Sequence, residues 1–155
     1  MNKSLLVSTA TVQASLAFLR SAGERESEGV VLWLGRRGAD GITVTEAYVP
    51  DQKAAGDYFR IPPDAMAALL TYLGQNDAFV AAQVHSHPFT AFHSEADNAW
   101  AIVRHLGALS LVVPYFARRT SVDSFLDHIV VFELSAENVW QELDAGDHRG
   151  AIRVV

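Results

Sequence analysis

Apolar residues recur at helical spacing from Thr11 to Ala22, where Val12, Leu16 and Leu19 share a face and Gly23 follows; this pattern predicts a helix. After the charged stretch of residues 23–28, the run Gly-Val-Val-Leu-Trp-Leu-Gly (29–35) is rich in β-branched and large apolar side chains, as a buried strand requires. Residues 36–41 are then expected to turn the chain into a second strand, 42–48, which makes a hairpin. Pro62 and Pro63 precede a second helix, with Met66, Leu69, Leu70 and Leu73 on one face and Gly74 as its stop. Residues 79–87 read as extended up to Pro88, which cannot donate to a ladder. A third helix is expected from Ser94 to about Leu106, with Ala96, Trp100, Val103 and Leu106 inward and Gly107 closing it. Strands follow at 109–113 and 128–134, with 138–143 as a further candidate.

The early hairpin excludes a simple repeated βαβ unit, so the expected fold is an α/β sheet sandwiched by helices. No repeat, low-complexity segment or linker divides the 155 residues, which suit one domain, 1–155. Composition narrows the possibilities further. Half of the residues are hydrophobic and 19% are charged, which excludes a disordered chain. The net charge of −6 argues against a nucleic-acid partner, which calls for a basic surface; Arg118 and Arg119 read as a solvated loop. No run approaches the roughly 18 apolar residues of a membrane span, and residues 1–15 lack a signal-peptide core, so the expected location is cytoplasmic. The absence of cysteine rules out disulfides and thiolate catalysis and restricts any metal site to nitrogen and oxygen ligands.

The chemistry is concentrated in the segment from His85-Ser86-His87-Pro88 to Ser94-Glu95-Ala96-Asp97. Residues two apart on a strand point to the same face, so His85 and His87 present two imidazoles to one point. Asp97, in the first turn of the expected helix, can bring a carboxylate to that point. Two imidazoles and a carboxylate form a three-ligand zinc site with a fourth position for water, whose pKa the metal lowers to roughly 7. Ser94-x-x-Asp97 also reads as a capping box, and the two roles of Asp97 compete for the same lone pairs. A hydrolase needs a base for the water proton. Glu24, Glu26 and Glu28 all precede the strand at 29–35, and spacing alone does not choose among them.

These segments together resemble the JAMM, or MPN-plus, metallopeptidases. The resemblance rests on Glu28 opening a strand that ends Leu34-Gly35, on His85-Ser86-His87-Pro88, and on Ser94-x-x-Asp97. It covers about residues 10 to 145 and settles Glu28 over the other two acids. It implies an MPN/JAB fold, a mixed and largely antiparallel sheet of cytidine deaminase-like type, with one zinc on His85, His87 and Asp97. It further implies Glu28 as base and then acid, and Ser94 as a donor to the oxyanion. Two positions depart from the family: the loop between Pro88 and Ser94 holds five residues, one fewer than in the familiar eukaryotic members. Val31 replaces an inner glycine, which is expected to narrow the groove.

The resemblance implies hydrolysis of isopeptide or peptide bonds after the C-terminus of a ubiquitin-like protein. As a lone compact domain the chain resembles the bacterial JAB proteins that accompany ubiquitin-like conjugation genes, including those of antiphage defence, and this implies E1/E2-like proteins as further partners. A tail of that kind can add to an exposed strand edge, and residues 49–61 and 114–126 are expected to flank the cleft. The alternatives are a JAB hydrolase that releases a small amine or amino acid from a carrier protein, and a non-catalytic MPN scaffold. Among the remaining residues, His93 reads as a bystander or as support for the site. His105, His128 and His148 read as surface or core histidines, Trp33, Trp100 and Trp140 as packing residues, and Ser86 as facing away from the ligands.

Overall fold

The computed structural model describes residues 4–55, 58–93, 97 and 102–155, with the side chains of 54, 55, 58 and 59 left aside. The fold is mixed α/β, an eight-stranded sheet in the order β10-β1-β3-β2-β6-β7-β8-β9 flanked by helices. The strands are β1 (Leu5–Val7), β2 (Val30–Gly38), β3 (Gly41–Tyr48), β6 (Phe79–Ser86), β7 (Leu109–Val113), β8 (Val130–Leu134), β9 (Trp140–Glu142) and β10 (Ile152–Val154). A separate hairpin of β4 (Lys53–Ala55) and β5 (Tyr58–Arg60) lies between β3 and helix α2 (Pro63–Asn76). Helix α1 (Thr9–Glu24) begins at Ser8, whose hydroxyl accepts the Thr11 N–H. Antiparallel pairs join β2 to β3 and β6, and β8 to β7 and β9. Parallel pairs join β1 to β3 and β10, and β6 to β7.

The continuous apolar run of β2 is buried on both faces, as such runs usually are. Val31 and Trp33 point into the core under α1 with Leu16, Leu19, Val84 and Leu111. Val30, Leu32 and Leu34 point the other way, toward Leu69 of α2. Val31 therefore sits fully buried in the main core, so it does not narrow a groove.

Several expectations shift. Strand β2 continues past Gly35, and only residues 39–40 turn, because Gly38 and Gly41 still pair. Arg36 and Arg37 are held on this extension: Arg36 donates to the Asn76 and Asp77 carbonyls, and Arg37 stacks on Phe79. Helix α2 runs through Gly74 to a left-handed Asp77 that donates back to the Leu73 carbonyl. Its buried side chains are Ala65 and Leu69, whereas Leu70 is turned out and 64% exposed. Residues 102–106 form bends and turns, and Leu106 is exposed. Most of the expected third helix, including Ala96 and Trp100, lies outside the described residues. A short helix, Phe125–His128, delays β8 to Val130.

Candidate metal centre

The site forms where β2 and β6 run antiparallel. Val30 pairs with His85, the Ser86 N–H donates to the Gly29 carbonyl, and the Gly29 N–H donates to Ser86 Oγ. Continuing that register sets Glu28 opposite His87. Ser86 thus spends its side chain on the neighbouring backbone, facing away from the imidazoles. Gln83, His85 and His87 share the opposite face by the two-residue period of the strand. The crossover between β6 and β7 then returns Asp97, in helical backbone, over the same face.

The geometry brings the expected residues together. Asp97 Oδ2 lies 3.0 Å from His87 Nε2 and 3.3 Å from His85 Nε2. Glu28 Oε1 lies 3.7 Å from His87 Nε2. All four residues are buried, none more than 6% exposed. Burial pushes the His85 pKa below its ordinary value of 6.5, with the Asp97 hydrogen bond and charge opposing and His87 reinforcing the shift. His85 is therefore a neutral imidazole, the form that ligates a metal. One carboxylate oxygen close to two Nε2 atoms requires a cation or protons between them, since lone pairs alone would repel. In a tetrahedral centre with bonds of about 2.0–2.1 Å, neighbouring ligand atoms lie about 3.3 Å apart. The spacings to Asp97 Oδ2 match that figure, and the three ligand atoms lie within 4.8 Å of one another. The donor set of two nitrogens and an oxygen fits zinc.

Residues that sequence reasoning passed over surround this centre. Beneath His85, on the same sheet face, Gln83 Nε2 donates to Ser110 Oγ and the Ile102 N–H donates to Gln83 Oε1. A glutamine two residues before His85 and a serine inside the apolar β7 were the available signals. His93 Nε2 is 3.1 Å from Ser110 Oγ, and its ring packs against His85, Phe132 and Trp140. It is thus support for the site, while His105 and His148 bond backbone carbonyls elsewhere and His128 is exposed. Trp33 is core, its indole N–H donating to Ser15 Oγ. Gln52 takes the place of a missing strand partner for Val30, bonding both its N–H and its carbonyl. Phe92 stands edge-on to His87 with ring centroids 4.5 Å apart and is 53% exposed. Arg118 and Arg119 are exposed, as a solvated loop requires, yet they lie over Phe116 and Tyr115. Ser94 lies outside the described residues.

Residues 8–123 match the family described as prokaryotic homologs of the JAB domain, a span that includes Glu28, His85, His87, Ser94 and Asp97. A protein of Sinorhizobium fredii named "Probable metalloprotease y4jG" is 34% identical over 137 residues, covering 86% of this chain and 81% of its own. The solution structure of protein DSY2949 from Desulfitobacterium hafniense superposes with a TM-score of 0.69 at 19% identity, over 97% of this chain and 92% of that one. The latter likeness concerns the fold.

Proposed function

Because the chain belongs to the family of prokaryotic homologs of the JAB domain, we propose that it is a zinc-dependent peptidase whose metal is held by His85, His87 and Asp97. The observation that carries the reading is the convergence of two imidazoles and a carboxylate, all buried, with Glu28 Oε1 3.7 Å from one of them. Zinc, when bound, supplies a Lewis acid and a water acidified to near neutrality. Glu28 takes the proton of the attacking water and returns it to the leaving amine, a role its position opposite His87 permits. Ser94 donates to the oxyanion of the tetrahedral intermediate.

The substrate we propose is the extended C-terminal tail of a ubiquitin-like protein or its conjugates, in a bacterial conjugation system of the antiphage type, with E1/E2-like proteins as further partners. Two features support a chain-like substrate. Phe89 and Phe92 offer exposed apolar surface beside His87. Strands β2, β6 and β7 are each paired on both sides, so a tail that adds as a strand would use the β4–β5 hairpin, tied to Val30 by the preceding Gln52. Release of a small amino acid from a carrier tail has its own support: a cavity of about 220 Å³ beside Glu28 is also lined by Arg25 and Ser27, and a cation suits a free carboxylate.

The test begins with metal content. The purified parent should carry about one zinc per chain and His87→Ala little, while Glu28→Gln should keep the metal and lose roughly 10²–10⁴-fold in turnover. Substrate comes from ubiquitin-like and carrier proteins encoded beside the gene. A stable parent that takes up no metal would favour the scaffold, and a fully active Glu28→Gln would remove the assigned base.

A further inference from the structure

Immediately after β7, the consecutive residues Tyr115, Phe116 and Ala117 hold φ angles of 54°, 53° and 60°. Left-handed backbone is costly for any residue with a Cβ, and three in succession persist only where the surroundings impose them. What this turn holds is the second histidine. The Phe116 N–H donates to the His87 carbonyl at 2.8 Å, and the Val113 carbonyl accepts the His87 N–H at 2.9 Å. The Tyr115 N–H donates to the Phe89 carbonyl at 2.8 Å. The segment from 113 to 116 therefore grips the chain on both sides of Pro88, which has no N–H of its own. A right-handed conformation at Tyr115 would aim the Phe116 amide away from the His87 carbonyl.

The turn is itself held from α1. Arg20 Nε donates to the Ala117 carbonyl at 3.0 Å, and its Nη2 donates to the Thr120 carbonyl. Arg118 reaches back to the Gly23 carbonyl at 2.7 Å. The Phe116 side chain is buried against Gly23. Helix α1 packs on the face of the sheet away from the ligands, so this is a contact path from the far side of the molecule to His87.

We propose that Arg20 is a positioning residue for the metal centre, locking the left-handed turn that fixes the backbone of His87. The proposal rests on the reading of His87 as a ligand. A lysine carries one ammonium and lacks the planar fork that serves two carbonyls at once, so Arg20→Lys should restore the function in part.

The experiment is a competition titration of zinc against a chromophoric chelator, using the full chain with Arg20→Ala, Arg20→Lys and Ser15→Ala. Ser15 lies on the same helix and bonds Trp33, so its loss weakens the fold without touching the turn. Arg20→Ala should bind zinc about tenfold or more weakly, the range typical of residues that orient ligands. Arg20→Lys should fall between it and the parent, and Ser15→Ala should stay within about twofold of the parent while its urea midpoint drops. In the metal-free proteins, amide exchange at Tyr115 and Phe116 should accelerate in Arg20→Ala and not in Ser15→Ala. Parent-like zinc binding by Arg20→Ala, or an equal loss in Ser15→Ala, overturns the proposal alone. A parent that takes up no zinc overturns it together with the reading of the site. Should Arg20→Ala fail to fold, the comparison of Arg20→Lys with Ser15→Ala decides in the same way.

Discussion

Replacing glycine by alanine at two helix positions should have opposite effects in this protein. Gly74 lies within α2 and an added Cβ there would meet nothing within 4 Å. Gly74→Ala should therefore gain the helix-propensity difference, up to about 1 kcal/mol. Gly23 lies near the end of α1, where a Cβ would press into Phe116 Cβ and sit 3.0 Å from its Cγ and 3.2 Å from its carbonyl oxygen. Phe116 has little room to retreat, being 5% exposed with its N–H committed to His87. Overpacking of this kind costs about 1–3 kcal/mol, which outweighs a propensity gain of at most about 1 kcal/mol. With the full propensity gain set against it, the expected net loss is up to about 2 kcal/mol. Urea unfolding of the chelator-treated proteins gives both values from midpoints at constant slope. If Gly23→Ala stabilised as much as Gly74→Ala, the packing of Phe116 against α1, and with it the imposed turn, would be wrong.

Two further outcomes follow from buried polar groups. Gln52→Ala should destabilise by about 1–3 kcal/mol, because the N–H and carbonyl of fully buried Val30 lose their partner; a loss below about 0.5 kcal/mol in urea would show that water replaces it freely. For pH, His85 is held below its ordinary 6.5 by burial, so in the metal-free protein it is neutral when folded and protonates on unfolding. Its contribution is present above about pH 6.5 and is lost as pH falls below that. Between pH 7.5 and 5.5 the parent should lose more than His85→Gln, by up to about 1.4 kcal/mol, measured by urea unfolding in chelator; equal losses would place a charged imidazole in the fold.

The local patterns along the chain were enough to decide what local physics decides. The period of Val12, Leu16 and Leu19 sets the buried face of α1, and the apolar run after Glu28 becomes a strand covered on both faces. The two-residue spacing of His85 and His87 puts both rings on one side because strand geometry leaves no other choice. Resemblance, not spacing, selected Glu28, and the register between β2 and β6 then supplies the physical reason. Tertiary structure alone decided the rest. Strands β1 and β10 have three residues each, too few for a period to show, and exist because they pair with one another and β1 with β3. Leu70 and Leu106 read as core by spacing but face outward, since an apolar residue is buried only where another element arrives to cover it. No glycine or asparagine marks the left-handed turn at Tyr115; it forms because Arg20, Gly23 and His87, distant along the chain, hold it from both sides. Sequence names the groups that can bind a metal, but long-range pairing brings Asp97 within reach of both histidines, because only the folded sheet fixes where a crossover returns.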